Sequence, residues 1–451
     1  MVPVMTYRSL FNADGLRAHR AATQVAAAGP LRWGLDGQFW SYRDGVWSPG
    51  ENDVHGRVVA ALGERYRPAH SHAIRDVLRA TLAPLEVLPV PRYINVPNGM
   101  VDWRAEHAPR LIDHDPSFVS TVQLPVHWRP GESTCDEFDA FLEQSVPDDD
   151  RQRVWEILGY LMMSGNPLQK LFLLTGGGGN GKGVLLAVIH ALLGRHNVSS
   201  VPLTDFADSQ FATAEVFGRL ANICGDIDTT YLERTGQIKA LSGEDSIKGE
   251  RKYGNPWYFE FWGKALFSAN ALPVSSDGTR GWLRRWEIVR FPFEPLKPDR
   301  GLKARLIERA SLEAIAVRAV LALRDLMERE RFDHGDSATE AHHEFAVRNN
   351  RLMAWIEEEG YMDSTSRYER RVLYNAYRFW ESGSGGRAVS DTTFYERIGQ
   401  IPGVRTSRSK GRRLIWGVRL NRDAVHVDLM GDDPPEPEGG ADTRVDTERL
   451  F

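Results

Sequence analysis

Leu171-Phe172-Leu173-Leu174-Thr175-Gly176-Gly177-Gly178-Gly179-Asn180-Gly181-Lys182-Gly183-Val184-Leu185-Leu186 joins a short apolar run, a glycine-rich loop with a lysine, and the start of an apolar helix. Leu171 to Leu174 is too short for a helix and suits a strand buried on both faces of a sheet. A loop without side chains lets several backbone N–H groups point at phosphate oxygens, and the following helix adds its positive N-terminal end. Lys182 would neutralise the β- and γ-phosphates. Gly176, Gly177, Gly178, Gly179, Asn180, Gly181, Lys182 and Gly183 are therefore the candidate ATP-binding residues. A ligand-free glycine turn is the competing reading, and the strand before and helix after the loop weigh against it.

Phosphate loops usually place Ser or Thr after the lysine, where the hydroxyl ligates magnesium; here that position is Gly183. Either water substitutes and acids downstream hold Mg2+, or hydrolysis is weak and the domain mainly binds nucleotide. The acids are expected at the end of a neighbouring strand, and Leu220-Ala221-Asn222-Ile223-Cys224-Gly225-Asp226-Ile227-Asp228 supplies two. Asp226 is the candidate magnesium ligand and Asp228 the residue that polarises the attacking water, although the roles could be exchanged. Lys264 to Asn270 is a third apolar run, and Asn270 is the candidate γ-phosphate sensor at its end. Arg280, Arg284 and Arg285 follow, close enough in sequence to reach a nucleotide of the same or a neighbouring subunit. Arg284 and Arg285 are the candidate catalytic arginines.

Lys239 to Tyr253, between the acids and Asn270, mixes both signs and reads on composition as a solvated loop.

Short apolar strands alternating with helical patterns from about Asp148 to Asp333 are how a parallel sheet covered by helices is written. The expected fold is α/β, with a P-loop core at residues 148–335. Ahead of it, 1–147 reads as a small α+β domain. There Asp36-Gly37 and Asp44-Gly45 interrupt Leu31 to Trp47 as hairpin turns, and Asn98-Gly99 reads as another. Residues 336–430 read as a winged-helix-like domain. A helix through His342 to Glu359 and one over Arg370 to Trp380 are followed by a helix capped by Ser390, and by a basic hairpin turning at Ser409-Lys410-Gly411. Residues 431–451 read as a disordered acidic tail.

The net charge of −5 argues against a polyanion-binding protein only when taken globally. The tail from Gly431 carries seven acids and two arginines, whereas Arg367 to Asp428 carries thirteen Lys or Arg and six Asp or Glu. Arg408, Lys410, Arg412 and Arg413 in the hairpin are candidate DNA-binding residues. Two cysteines, no signal-like apolar run at the start and no stretch of roughly 18 apolar residues imply free thiols, a cytoplasmic protein and no membrane span.

Taken together, these residues resemble the superfamily 3 helicase domain of phage and plasmid primase-helicases, related to the poxvirus primase-helicase ATPase. The resemblance begins at Ile94 to Trp103 and Val122 to Val126, which are similar to the family's N-terminal helicase-associated domain. It runs on through Leu158 to Leu161, the phosphate loop, Gly225 to Asp228, Ile238 to Asp245, and Phe267 to Asn270 as far as Arg284-Arg285-Trp286. It implies a hexameric AAA+-like ring that burns ATP with Mg2+ at subunit interfaces and moves 3′ to 5′ on single-stranded DNA. It further implies origin DNA and replication proteins of the host or element as partners, and a bacterial cell hosting a phage or mobile element. In that family the segment between acids and sensor points into the central channel, which makes Lys248, Arg251 and Lys252 candidates for gripping phosphates. The polymerising primase domain of many relatives is missing, and Asp113 and Asp115 read as a loop, so no primer synthesis is expected.

An initiator or loader that binds DNA in a nucleotide-dependent way, with incidental hydrolysis, is the competing reading, slightly favoured by Gly183. A small-molecule P-loop kinase is disfavoured because nothing resembles an acceptor-substrate pocket.

Overall fold

Every side chain of Leu171–Thr175 is buried, and successive residues serve opposite faces. Phe172 and Leu174 enter a core shared with the helices Arg151–Met162, Lys182–Leu193 and Arg309–Arg329. Leu171 and Leu173 enter a second core with Phe267, Trp286 and Phe345. This is the period-two alternation of a strand covered on both sides.

The computed structural model describes residues 10–421 apart from 132–133, 210, 226–231, 233, 244, 251, 253–254, 276, 296–298, 384–387, 402 and 410. The acidic tail expected at 431–451 lies outside the described residues.

The central sheet contains β1 (Leu171–Thr175), β2 (Val198–Ser199), β3 (Ala221–Cys224), β4 (Lys264–Ala269) and β5 (Trp286–Arg290), in the order β2-β3-β4-β1-β5. Every pairing in it is parallel. The chain is thus mixed α/β with a parallel sheet. From β1 it goes to β2 at the far edge, returns through β3 and β4, and crosses to β5 on the other side. Such a reversal leaves a crevice outside the carboxyl ends of the strands, where ligands of open α/β sheets bind. The glycine loop leaves β1 into that crevice.

Glu287, the second residue of β5, is fully buried. Its carboxylate lies 2.6 Å from Lys170 Nζ, 3.2 Å from Arg153 Nη1 and 2.8 Å from His334 Nε2. Arg153 is itself clamped by Asp150 at 2.8 Å. The cluster joins the entry to β1, the helix Arg151–Met162 and the chain around His334; burial pushes the Glu287 carboxyl up, but Lys170 and the hydrogen bond from His334 outweigh it and hold the carboxyl well below the usual range.

In the first block a four-stranded sheet carries the helices Ala18–Ala27, Glu51–Leu62 and Pro68–Thr81. Asp44 (φ +50°) and Gly45 (φ +86°) make the two-residue turn between Phe39–Arg43 and Val46–Pro49. In the hairpin Tyr93–Val96 and Gly99–Asp102, Val96 pairs with Gly99, so the turn residues are Pro97-Asn98 and not the expected Asn98-Gly99. Packing continues across residue 147. Ile94, Trp103, Leu124, Phe138 and Val146 belong to the same core as the sheet's helices, while the cores around Val54 and Trp47 are separate.

The expected helix from His342 to Glu359 is two, Asp336–Asn349 and Arg351–Glu359. Asn350 breaks it, its side chain accepting from Leu352 N at 3.1 Å. The first half packs Ala341 and Phe345 against the central sheet. The second half starts a separate core with Leu373, Tyr377, Phe394, Ile415 and Val418. That unit runs helix, strand Gly360–Glu369, helices Arg370–Gly383 and Asp391–Ile398, then the hairpin Arg405–Ser409 and Arg412–Leu420. Arg412–Leu420 is the middle strand of its antiparallel sheet. Among the described residues no helix is long and apolar enough to cross a membrane.

Candidate functional site

The glycine loop is built by close approach. A Cβ on Gly176 would stand 2.3 Å from the Phe291 carbonyl, and one on Gly181 would stand 2.7 Å from Ser145 Oγ; both glycines have positive φ, +151° and +98°. Side chains are excluded at both ends of the loop, where the backbone must bend and pack. Between them Gly177, Gly178 and Gly179 are exposed, the crest of a cradle open to solvent.

The loop's two polar side chains face inward. Asn180 Nδ2 donates to Phe291 O at 2.6 Å, fixing the loop to the chain leaving β5. The Lys182 ammonium donates to the carbonyls of Gly176 and Gly177, each at 2.6 Å, and to Asn180 Oδ1 at 3.1 Å. A buried cation is thus stationed under the crest, where an anion laid on the loop would meet it. Lys182 also opens a 12-residue helix whose N-terminal amide dipoles face the same spot.

At Gly183 a Cβ would meet nothing within 4 Å. The missing hydroxyl is therefore no steric demand of this backbone.

Strand register sets the neighbours. Thr175 at the end of β1 lies opposite Ala269 of β4, so Asn270 stands level with Gly176, exposed beside the loop. Cys224 lies opposite Phe267, which brings β3 toward the same edge. Asp226 and Asp228, expected just beyond, lie outside the described residues.

Arg284 and Arg285 are at the other end. Leu171 N donates to Arg285 O at 2.6 Å, Lys170 Nζ to Arg284 O at 3.0 Å, and Arg284 Nη2 to Gln169 Oε1 at 2.7 Å. All three hydrogen bonds lie at the amino end of β1. With a rise of about 3.3 Å per residue, the length of β1 puts roughly 13 Å or more between these arginines and the glycine loop. Reach to the loop of the same chain, open on sequence grounds, is thereby excluded for this conformation. Arg284 is exposed, whereas Arg285 is half-buried with its Nη1 donating to Gly281 O, and burial followed by Arg284 lowers its pKa.

The ambiguous segment forms a hairpin, Ser246–Gly249 with Trp257–Glu260. Ile247 is buried, and Phe259 packs edge-on against Phe217 at 5.0 Å. Lys248 and Tyr258 pair across the exposed face, with Lys248 held 2.7 Å from Glu250. Lys252 lies in the connecting turn, and Arg251 falls outside the described residues.

In the C-terminal hairpin every residue of Arg405–Ser409 is exposed, as are Arg412 and Arg413. Arg412 pairs with Glu369 at 2.7 Å; Arg408 faces Arg413 across the strands. Lys410 lies outside the described residues.

Sequence reasoning missed the segment from Phe291 to Glu294. It runs along the loop, with Phe291 N donating to Thr175 O at 2.7 Å and Glu294 Oε1 lying 3.9 Å from where a Gly177 Cβ would stand. No local pattern announces it, because its place follows from β5 pairing with β1.

A family described as "D5 N terminal like" matches residues 37–147, and a family of unknown function, DUF5906, matches 174–285. The second span runs from the end of β1 to Arg285. A protein of Acanthamoeba polyphaga mimivirus, named as a candidate helicase, is 24% identical over 180 residues, which are 38% of this chain and 19% of that protein. The chain therefore spans about a fifth of the length of this curated relative. The D5 match and this relative support a primase-helicase family. Two apo structures of the NrS-1 C terminal region are 11% and 10% identical, covering 89% and 90% of this chain and 98% and 99% of theirs, with TM-scores of 0.48 and 0.46.

Proposed function

We propose that the chain is an ATP-dependent DNA helicase motor for replication of a phage or mobile element, working as a homo-oligomeric ring. One observation carries the reading: a glycine cradle with a buried lysine beneath it, placed at the carboxyl end of β1 where the strand order reverses. The sheet around it supports an AAA+-like P-loop core of the superfamily 3 kind. The mimivirus relative's name, with the D5 match beside it, supports a nucleic acid as the substrate, taken here as DNA.

In this reading the loop amides and Lys182 bind the triphosphate. Magnesium neutralises phosphate charge when bound, and Asp226 and water would hold it, since Gly183 brings no hydroxyl. Asn270 senses the terminal phosphate, and Asp228 orients water. Arg284 and Arg285, at the far end of the sheet from their own loop, support a site completed by a neighbouring subunit, with a hexamer as the expected ring. The hairpin bearing Lys248, Arg251 and Lys252 grips single-stranded DNA. The C-terminal unit, a winged helix in this reading, contacts duplex or origin DNA through Arg408, Lys410, Arg412 and Arg413.

Phosphate release by the full chain with and without single-stranded DNA tests this. DNA-stimulated turnover that Lys182→Ala abolishes is expected; parental turnover in that variant would overturn it. A second reading, a nucleotide-dependent initiator or loader, draws on Gly183 alone and predicts a slow basal rate that DNA leaves unchanged.

A further inference from the structure

Phe293 and Glu294 follow β5 on the side of β1 away from Asn270. We propose that these two residues receive the nucleoside end of the nucleotide, Phe293 stacking on the base and Glu294 accepting hydrogen bonds from the ribose hydroxyls. The proposal rests on the reading that the glycine loop binds a nucleoside triphosphate.

Two hydrogen bonds bind this segment to the end of β1 and to the loop, Phe291 N to Thr175 O and Asn180 Nδ2 to Phe291 O, and Glu294 stands beside Gly177. Residues 291 to 294 therefore form one wall of the cradle, as β4 ending in Asn270 forms the other. A triphosphate laid across the loop with its terminal phosphate toward Asn270 must present its nucleoside to the opposite wall.

Charge selects the same orientation. A carboxylate beside the terminal phosphate would repel it, whereas beside a ribose it accepts from hydroxyl groups, the use that acidic residues serve in other nucleotide folds. Phe291 is fully buried, but Phe293 is 47% exposed. Single exposed apolar side chains are common. This one is distinguished by its place in the chain, between Phe291, which is bonded to Thr175 and Asn180, and Glu294, which stands beside Gly177; a planar ring there could offer a π-face to any base.

Two specificities follow. Stacking does not read base edges, so the four common ribonucleoside triphosphates should bind similarly, while the carboxylate should favour ribose over deoxyribose.

Displacement of a fluorescent ATP analogue from the full chain by ATP, dATP and inorganic tripolyphosphate tests the assignment. Phe293→Ala is expected to weaken ATP roughly tenfold, as removal of one base–aromatic stack would. It should leave tripolyphosphate affinity unchanged, which also shows that the loop is intact. Phe293→Trp should retain ATP affinity, and Glu294→Ala should erase the preference for ATP over dATP. Parental ATP affinity in Phe293→Ala overturns the proposal, as does parallel loss of ATP and tripolyphosphate in both Phe293 variants. Failure of the parental chain to bind any of the three ligands would overturn the nucleotide reading itself, and this inference with it.

Discussion

Arg284 and Lys182 stand at opposite ends of β1: the guanidinium donates to Gln169 just ahead of the strand, and the ammonium lies under the loop just beyond it. A single chain cannot bring both to one phosphate in this conformation, whereas the proposed ring would supply them from two chains. Arg284→Ala should therefore lower turnover by about 10³-fold or more, the usual worth of an arginine supplied in trans. Mixed with the parental chain it should depress activity more than in proportion to its fraction, as a titration of phosphate release would show. Strict proportionality would mean that each chain works alone. Arg285→Ala should lower turnover as well and, in addition, cost stability, about 1 kcal/mol for its hydrogen bond to Gly281 O.

Gly183→Ser tests how the chain manages without the usual hydroxyl. Space is open around that position, and in a helix serine is favoured over glycine by roughly 0.5 kcal/mol. The variant should be no less stable than its parent and should reach half-maximal turnover at lower magnesium concentration. Thermal melting and a magnesium titration read the two effects. An unchanged titration would place the ion's ligands elsewhere.

The glycine loop, β1, β3 and β4 were legible because composition alone dictates them. Runs such as Lys264 to Ala269 need no partner to be read as buried strands. β5 was not legible, since Trp286-Glu287-Ile288-Val289-Arg290 carries two charges whose compensation comes from far away. Glu287 meets Arg153, Lys170 and His334, and Arg290 meets Glu340 and Glu344. Gly360–Glu369 was hidden likewise by polar residues and by an irregularity between Asp363 and Arg367, where its register against Arg412–Leu420 shifts. Missing β5 meant missing two consequences of its pairing with β1, the far position of the arginines and the wall made by Phe291 to Glu294. Local pattern locates elements, whereas register locates sites.

The buried cluster around Glu287 should make stability depend on pH. His342 is almost fully buried beside Glu287, His334, Arg153 and Lys170, and its Nε2 lies 2.9 Å from Trp286 O. Burial lowers its pKa from 6.5 to about 3, the neighbouring cations adding to the fall and Glu287 opposing it. Between those values the unfolded chain binds the proton and the folded chain does not, so acid favours unfolding. This contribution is absent at neutral pH and grows below about pH 6.5, at up to roughly 1.4 kcal/mol per pH unit. His342→Gln should flatten the fall of melting temperature between pH 7 and pH 5. An equally steep fall in the variant would assign the acid sensitivity to other groups.

In the C-terminal unit charge divides unevenly between two surfaces. The helix Asp391–Ile398 exposes Asp391, Glu396 and Arg397, whereas the hairpin exposes Arg405, Arg408, Arg412 and Arg413. A helix led by an aspartate is poorly suited to meet phosphates or base edges rich in acceptors, so in the proposed function the hairpin is the surface expected to meet DNA. Replacing Arg408, Arg412 and Arg413 together by Ala should weaken duplex binding across unrelated sequences. It should also reduce the slope of log affinity against log salt by about 0.9 for each phosphate that the arginines no longer neutralise. Arg412 should contribute least, because Glu369 already holds it at 2.7 Å. Asp391→Asn should leave the slope as it is. If the triple variant keeps its affinity and slope while changes in the helix abolish binding, DNA is read from the helix and the hairpin serves another partner.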